Sequence, residues 1–137
     1  MKKLLLFLAI ITTLSSCSLD NDNTNSYSYQ VLPVASYVLP ESYKVGETYE
    51  ITLKYQRPTP CYIFQGIYYD IKDNTRTIAI QTMTDDNQVC TDVLPELSEA
   101  KFNFKPTTTG AFIFKFYKGK DAEQKDTFDE VEFQVVE

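Results

Sequence analysis

The chain has 137 residues, a formal net charge of −6 at pH 7, and neither His nor Trp. That length is enough for one domain, and the acidic balance opposes nucleic acid and anionic lipid as partners, because both require a basic surface. Without His, the chain lacks the usual Ser-His-Asp and Cys-His catalytic groups and the commonest zinc ligand.

The first 16 residues have the features of a secretory signal peptide. Lys2 and Lys3 give a positive start, and an apolar segment covers residues 4–14. A membrane-spanning helix needs about 20 residues, so this segment is too short to span a bilayer. A positive start, a short apolar core and small residues before a break are typical of a signal peptide. The alternative is a buried N-terminal helix, for which the polar run that follows offers no amphipathic continuation.

The break after the apolar segment reads Leu14-Ser15-Ser16-Cys17. These four residues resemble the lipobox of bacterial lipoproteins, in which Leu and two small residues precede an obligatory Cys. The resemblance implies cleavage before Cys17, attachment of diacylglycerol to its thiol, and acylation of the new N-terminus. We therefore predict a signal peptide over 1–16 and contact with the membrane through a lipid anchor on Cys17, since several acyl chains together anchor a protein firmly.

Residues 17–28 are predicted to form the lipidated cysteine and a flexible tether, because residues 18–28 are polar and have no apolar period. Lipoproteins that are not transported onward to the outer membrane have Asp directly after the lipidated Cys. This chain has Ser18 there, which favours an outer-membrane location. The tract Asp20-Asn21-Asp22 resembles the export signals of surface lipoproteins of Bacteroidota. A periplasmic and an outward-facing orientation both stay open.

From Tyr29 onward, apolar and polar residues alternate with a period of two, which predicts an all-β domain over 29–137. Pro33 interrupts the first strand and indicates either an edge strand or a strand that changes sheets. Turns are expected at 40–46 and 106–110, a long polar connection at 84–97, and a charged hairpin loop at 118–125. The seven predicted strands cover residues 29–38, 49–55, 64–72, 76–83, 101–105, 112–116 and 130–135.

Seven short antiparallel strands in about 110 residues are typical of an immunoglobulin-like β-sandwich. The faces predicted to be inward are rich in Phe, with Phe112, Phe114 and Phe116 sharing one side of a strand. The alternative architecture is a small closed barrel, which requires the first and last strands to pair.

Two cysteines remain after Cys17, and we predict that Cys61 and Cys90 form a disulfide, because a secreted chain folds in an oxidising compartment. The alternatives are two free thiols or half of a metal site that no further Cys or His completes. The predicted bond departs from the antibody pattern, in which a cystine joins two core strands beside a Trp.

The stretch LKYQRPTPCYIF at 53–64 partly resembles the first binding loop of the chagasin-type inhibitors of cysteine proteases. The family motif runs Asn-Pro-Thr-Thr-Gly-Tyr, one variable residue, and Trp. Pro58, Thr59 and Tyr62 match it, and Phe64 stands where the family has Trp. The sequence departs from the motif at 57, 60 and 61, and the family's later Arg-Pro-Trp-Glu loop is missing near 118–121. The resemblance implies a protein-binding loop, whereas a proline-stiffened turn explains the same residues.

Two further groups of residues are candidates for ligand contact. The acidic stretch 85–87, together with Asp92, offers oxygen ligands for Ca²⁺ but lacks the spacing of a known calcium loop. An aromatic platform is the second candidate. Neighbouring residues of a strand face opposite ways, so we expect at least one of Tyr68 and Tyr69 to be exposed. The candidate platform residues are Tyr62, Tyr68, Tyr69 and Tyr117.

The chain from the lipobox through IYYDIKDNTRTIAI to FKFYKGKD resembles a group of small flavobacterial lipoproteins, which implies a secreted immunoglobulin-like domain. No spacing selects a pair of catalytic carboxylates, although a hydrolase with paired acids stays open. We therefore predict a non-catalytic interaction or accessory module without a cofactor, whose partner is a protein or a glycan. Chagasin-like inhibition and glycan binding are the alternative specific functions.

Overall fold

The computed structural model describes residues 25–137, so the predicted signal peptide, Cys17 and most of the tether lie outside the described residues. Every regular element in the described range is a β-strand, as period-two alternation predicts. The strands are β1 (Tyr27–Leu32), β2 (Ser36–Val38), β3 (Tyr43–Lys44), β4 (Tyr49–Tyr55), β5 (Ile63–Lys72), β6 (Thr75–Asp85), β7 (Ser98–Phe104), β8 (Gly110–Lys120) and β9 (Asp126–Val136).

The strands form two sheets, a large one of six strands and a small one with the order β2-β4-β7. In the large sheet β5 pairs with β6 along almost its whole length. The opposite edge of β6 is therefore shared by two strands: β1 pairs antiparallel with Ile80–Asp85, and β8 pairs parallel with Thr75–Ile78. An antiparallel hairpin joins β8 to β9, and the two-residue β3 completes the sheet beside β9.

The predicted all-β sandwich is confirmed, and so is the change of sheet at Pro33. The chain leaves the large sheet at Leu32 and enters the small sheet at Ser36, because Pro33 lacks the N–H that a continuous ladder needs. The closed barrel is not formed, since β1 pairs with β6 and not with β9.

Two features of the strand pairing differ from the prediction. The predicted turn at 40–46 contains β3, which runs parallel to β9, and β6 runs parallel to β8. Immunoglobulin sandwiches are built from two antiparallel sheets. The two parallel pairings depart from that pattern, so the immunoglobulin-like type stays a prediction.

The core lies between the sheets and is dominated by the predicted Phe face of β8. Phe114 is fully buried, with its ring centroid 4.6 Å from that of Phe133 and 5.1 Å from that of Phe104. Burial of each such ring stabilises the fold by about 1.5–3 kcal/mol. The inward residues of β4 and β6, Ile51, Leu53, Ile78 and Ile80, are also fully buried.

The predicted disulfide Cys61–Cys90 is present, with the two Cα atoms 5.8 Å apart. It joins the β4–β5 loop to the long β6–β7 loop at one end of the sandwich. The disulfide fixes the two loops to each other. They lie at the end where β1 begins, because Tyr27, the first residue of β1, pairs with Asp85, the last residue of β6.

Candidate functional site

Several aromatic rings lie on the outer face of the large sheet. Ile78, Ile80 and Thr82 of β6 point into the core and are fully buried, so the alternate residues of β6 lie on the outer face. Ala79 is one of these outer residues, yet only 3% of its surface is exposed. Side chains of neighbouring strands cover it and leave a groove around it.

This outer-face groove has a volume of about 390 Å³. Tyr68 reaches it from β5 because it pairs with Ala79, and Tyr117 and Phe128 pair with each other across β8 and β9. The small side chain of Ala79 forms the floor, and the three rings form the walls. The lining residues are Val31, Tyr68, Thr77, Ala79, Tyr117, Lys120, Asp126 and Phe128.

The ring of Phe128 is held from two sides. The Tyr117 ring lies 5.9 Å away, at 58° to it, and the Lys115 ammonium lies 5.0 Å from the Phe128 centroid. Lys115 is oriented in turn by Glu130, with Nζ and Oε1 2.8 Å apart. A cation over an aromatic face contributes about 0.5–1 kcal/mol at an exposed site, which favours one position of the ring.

One end of the groove is formed by the last residue of β8 and the first residue of β9, which pair next to the hairpin loop. Lys120 and Asp126 form an ion pair with Nζ and Oδ1 3.1 Å apart, so the charges at this rim balance. A bulge at Lys118 shifts the register between Tyr117 and Gly119, which allows the φ of +101° at Gly119. The Lys118 ammonium then donates to the carbonyl of Val34 at 2.7 Å instead of facing the groove.

A second depression of about 230 Å³ adjoins the groove and shares Val31 with it. We call it the amide pocket, because Gln30, Gln65 and Gln81 line it together with Tyr29, Val31 and Thr82. The Tyr29 side chain is 74% exposed, and it stands beside the pocket on β1. Gln81 pairs with Val31 and lies on the outer face, so these two residues connect the groove to the second depression. Gln30 pairs with the inward-facing Thr82, and its amide oxygen accepts from the Tyr62 hydroxyl.

The structure brings together two of the four predicted platform tyrosines. Tyr68 and Tyr117 line the groove, whereas Tyr69 lies on the opposite face of β5 with its ring 5.4 Å from Phe102. Burial raises the pKa of Tyr69. Tyr62 is half-buried, and its hydroxyl donates to the Gln30 amide oxygen at 2.9 Å. The expectation that Tyr68 and Tyr69 face opposite ways is confirmed.

The candidate protein-binding loop lies away from the groove and forms a tight turn. Tyr62 N donates to the carbonyl of Thr59 at 3.4 Å, and Cys61, only 6% exposed, ties the turn to Cys90. Pro58 is exposed, and Phe64 is 44% exposed with its ring 6.0 Å from Tyr55. A turn fixed in this way fits the proline-stiffened turn, and the chagasin resemblance stays a prediction.

The acidic stretch at 85–87 uses its carboxylates in local hydrogen bonds. Asp85 Oδ1 accepts from the backbone N–H of Asn87 at 2.9 Å, and Ser26 Oγ donates to Asp86 Oδ2 at 2.7 Å. The bond from Ser26, followed by one from Ser28, lowers the pKa of Asp86. Between residues 25 and 137 no three Cys, Asp or Glu side chains are grouped so that they could hold a metal ion.

Comparisons with protein-family models, curated proteins and solved structures find no match to this chain. The function must therefore be argued from the geometry of the surface. In the part of the chain that the structure describes, no helix has the length and apolar character needed to cross a membrane.

Proposed function

We propose that this protein is an outer-membrane lipoprotein whose domain is a non-catalytic binding module for a neutral oligosaccharide. The outer-face groove is the observation that supports this most, because three aromatic rings surround a small floor residue on an otherwise solvated sheet face. Aromatic rings on a sheet face usually serve to cover the core. Here the core is already complete on the inner side, and the rings line a concave surface.

The groove has the character of a small-ligand site. Such sites are concave, mostly apolar and about 300–1,000 Å³ in volume, with a few polar groups that fix orientation. The C–H face of a sugar ring packs on the face of Tyr or Phe, and each aromatic side chain can bury about 150–250 Å² in such contacts. Tyr68 and Tyr117 line the groove, and each carries a hydroxyl that can donate and accept a hydrogen bond.

The amide pocket extends the outer surface through the Gln81 side chain, whose amide matches sugar hydroxyls. A Gln side chain offers two donors and two acceptor lone pairs, and neighbouring sugar hydroxyls are donors and acceptors at once. Because Val31 belongs to both depressions and pairs with Gln81, a ligand can extend from the rings to the Gln81 amide. An oligosaccharide therefore suits the surface better than a single sugar.

The charged groups around the groove favour a neutral ligand that is bound without hydrolysis. The balanced Lys120–Asp126 pair and the net charge of −6 provide no excess of positive charge for an acidic glycan. Glycoside hydrolysis usually needs two carboxyl groups on either side of the scissile bond. Among residues 25–137, Asp126 is the one carboxylate that lines the groove, and Lys120 forms an ion pair with it.

A glycan array with a matched pair of variants tests the site. Tyr68 and Tyr27 are both 42% exposed, but Tyr27 lines neither depression. We expect Tyr68→Ala to weaken binding about tenfold, because an aromatic contact contributes about 0.5–1.5 kcal/mol beyond its buried area. Tyr27→Ala should bind like the parent chain. Equal losses in both variants, or no bound glycan, would leave a protein partner as the better hypothesis.

The lipid anchor is tested by metabolic labelling with a palmitate analogue. The parent chain should carry the label, and Cys17→Ala should lose it together with membrane retention. Label retained after Cys17→Ala would reject the anchor and leave the groove proposal untouched.

A further inference from the structure

The chain enters the domain beside the loop that joins β6 to β7. Ser26 Oγ donates to Asp86 Oδ2 at 2.7 Å, and Asp86 N donates to the carbonyl of Ser26 at 2.9 Å. The start of β1 and the start of this loop are therefore fixed to each other. The first described residues of the chain therefore lie at this end of the domain.

The same loop exposes four large apolar side chains, which we call the apolar tip. The exposed fractions are 95% for Val89, 63% for Val93, 66% for Leu94 and 51% for Leu97. The β7–β8 turn at the opposite end of the sandwich, KPTTT at 105–109, exposes no large apolar side chain. Exposed apolar patches on a soluble domain mark protein or membrane contacts.

The loop that carries the apolar tip is held in place. The Cys61–Cys90 disulfide joins it to the β4–β5 loop, and Gln56 Nε2 donates to the carbonyl of Pro95 at 2.7 Å. Docking of a fixed loop loses less conformational entropy than docking of a free one. The tip is thus presented as a preformed surface.

If Cys17 carries the proposed lipid anchor, the apolar tip must lie close to the membrane. The proposal that follows rests on that anchor. Tyr27 is ten positions after Cys17, so the start of β1 can be at most about 35 Å from the anchor. The end of the domain at which the chain enters is the end that the anchor holds nearest to the bilayer.

We propose that the apolar tip docks into the interfacial region of the bilayer that holds the anchor, as a second membrane contact. Binding at the interface increases with the apolar area that it buries. The stretch 85–97 contains four acidic residues and no Lys or Arg, so it would be repelled by anionic headgroups. The lipid partner is therefore zwitterionic.

The absence of Trp from the chain permits a site-specific test. The lipidated Leu94→Trp variant is placed in phosphatidylcholine vesicles, with Thr108→Trp in the opposite turn as the matched control. Leu94 and Thr108 are both exposed, so neither change disturbs the core. We expect the Leu94→Trp emission to move to shorter wavelength and to be quenched by brominated lipid. The Thr108→Trp emission should remain that of a ring in water.

Four results would overturn the docking proposal. The Leu94→Trp ring could remain in water while the chain stays on the vesicles, or both variants could shift alike. The shift could disappear as the protein is diluted in lipid, which would indicate contact with a second copy. It could also increase in phosphatidylglycerol vesicles, against the charge of the loop. Loss of the whole chain from the vesicles would instead reject the anchor.

Discussion

Removal of the Cys61–Cys90 disulfide is expected to destabilise the domain by about 3–4 kcal/mol. The two cysteines are 29 residues apart, and in the chain-entropy model a closed loop of that length lowers the entropy of the unfolded state by about 12 cal/mol/K. At 25 °C this corresponds to about 3.6 kcal/mol. For a domain of about 110 residues with a typical unfolding entropy, the melting temperature should fall by about 15 °C.

Thermal unfolding of the Cys61→Ala/Cys90→Ala double variant measures this loss. Ala is used because Cys61 is only 6% exposed, and a Ser there would add the cost of a buried hydroxyl. The reduced parent chain is the matched control and should melt near the double variant. A fall of less than about 5 °C in both samples would refute the reasoning, because the loop entropy alone predicts a much larger change.

Three further predictions concern stability. Phe114→Ala should lower the free energy of unfolding by about 3–5 kcal/mol in urea titrations, since it empties a fully buried position; a loss below about 1 kcal/mol would contradict the packing. Burial and the 2.7 Å bond to Asp129 raise the pKa of Tyr37 to about 12. The contribution of Tyr37 to the free energy of unfolding is therefore present below pH 10 and lost as the pH rises toward 12. Tyr37→Phe should therefore flatten the alkaline fall in melting temperature, and an unchanged slope would count against the bond. The bond from Ser26 lowers the pKa of Asp86. The contribution of the Asp86 carboxylate to the free energy of unfolding is therefore present above pH 3.8 and lost as the pH falls further. The gap in melting temperature between the parent and Asp86→Asn should shrink in acid, and a constant gap would reject this.

The strands with strong local patterns could be predicted from the sequence. In β4, Ile51, Leu53 and Tyr55 alternate with polar residues and are buried. Val135 is buried at the end of β9 as expected, because period-two alternation places it on the inner face. Of the two alternatives that Pro33 left open, an edge strand or a change of sheet, the structure shows the change of sheet.

The groove could be predicted only in part, because it depends on pairings between distant segments. The alternation rule separated Tyr68 from Tyr69, but the approach of β8 to β6 in parallel has no local signal in the sequence. Ala79 and Phe128 were therefore missed as parts of the site. β3 was missed for a similar reason, because its two residues are held by pairing with β9 and not by their own pattern.

The location of the ligand tests the central claim most directly. Amide chemical shifts should be followed while a neutral glycan selected on the array is added to the chain. We predict saturable changes at Tyr68, Ala79, Tyr117 and Phe128, the residues that line the groove. Changes centred on residues 58–64, or no saturable change with any array glycan, would contradict the proposal that the outer-face groove binds oligosaccharides.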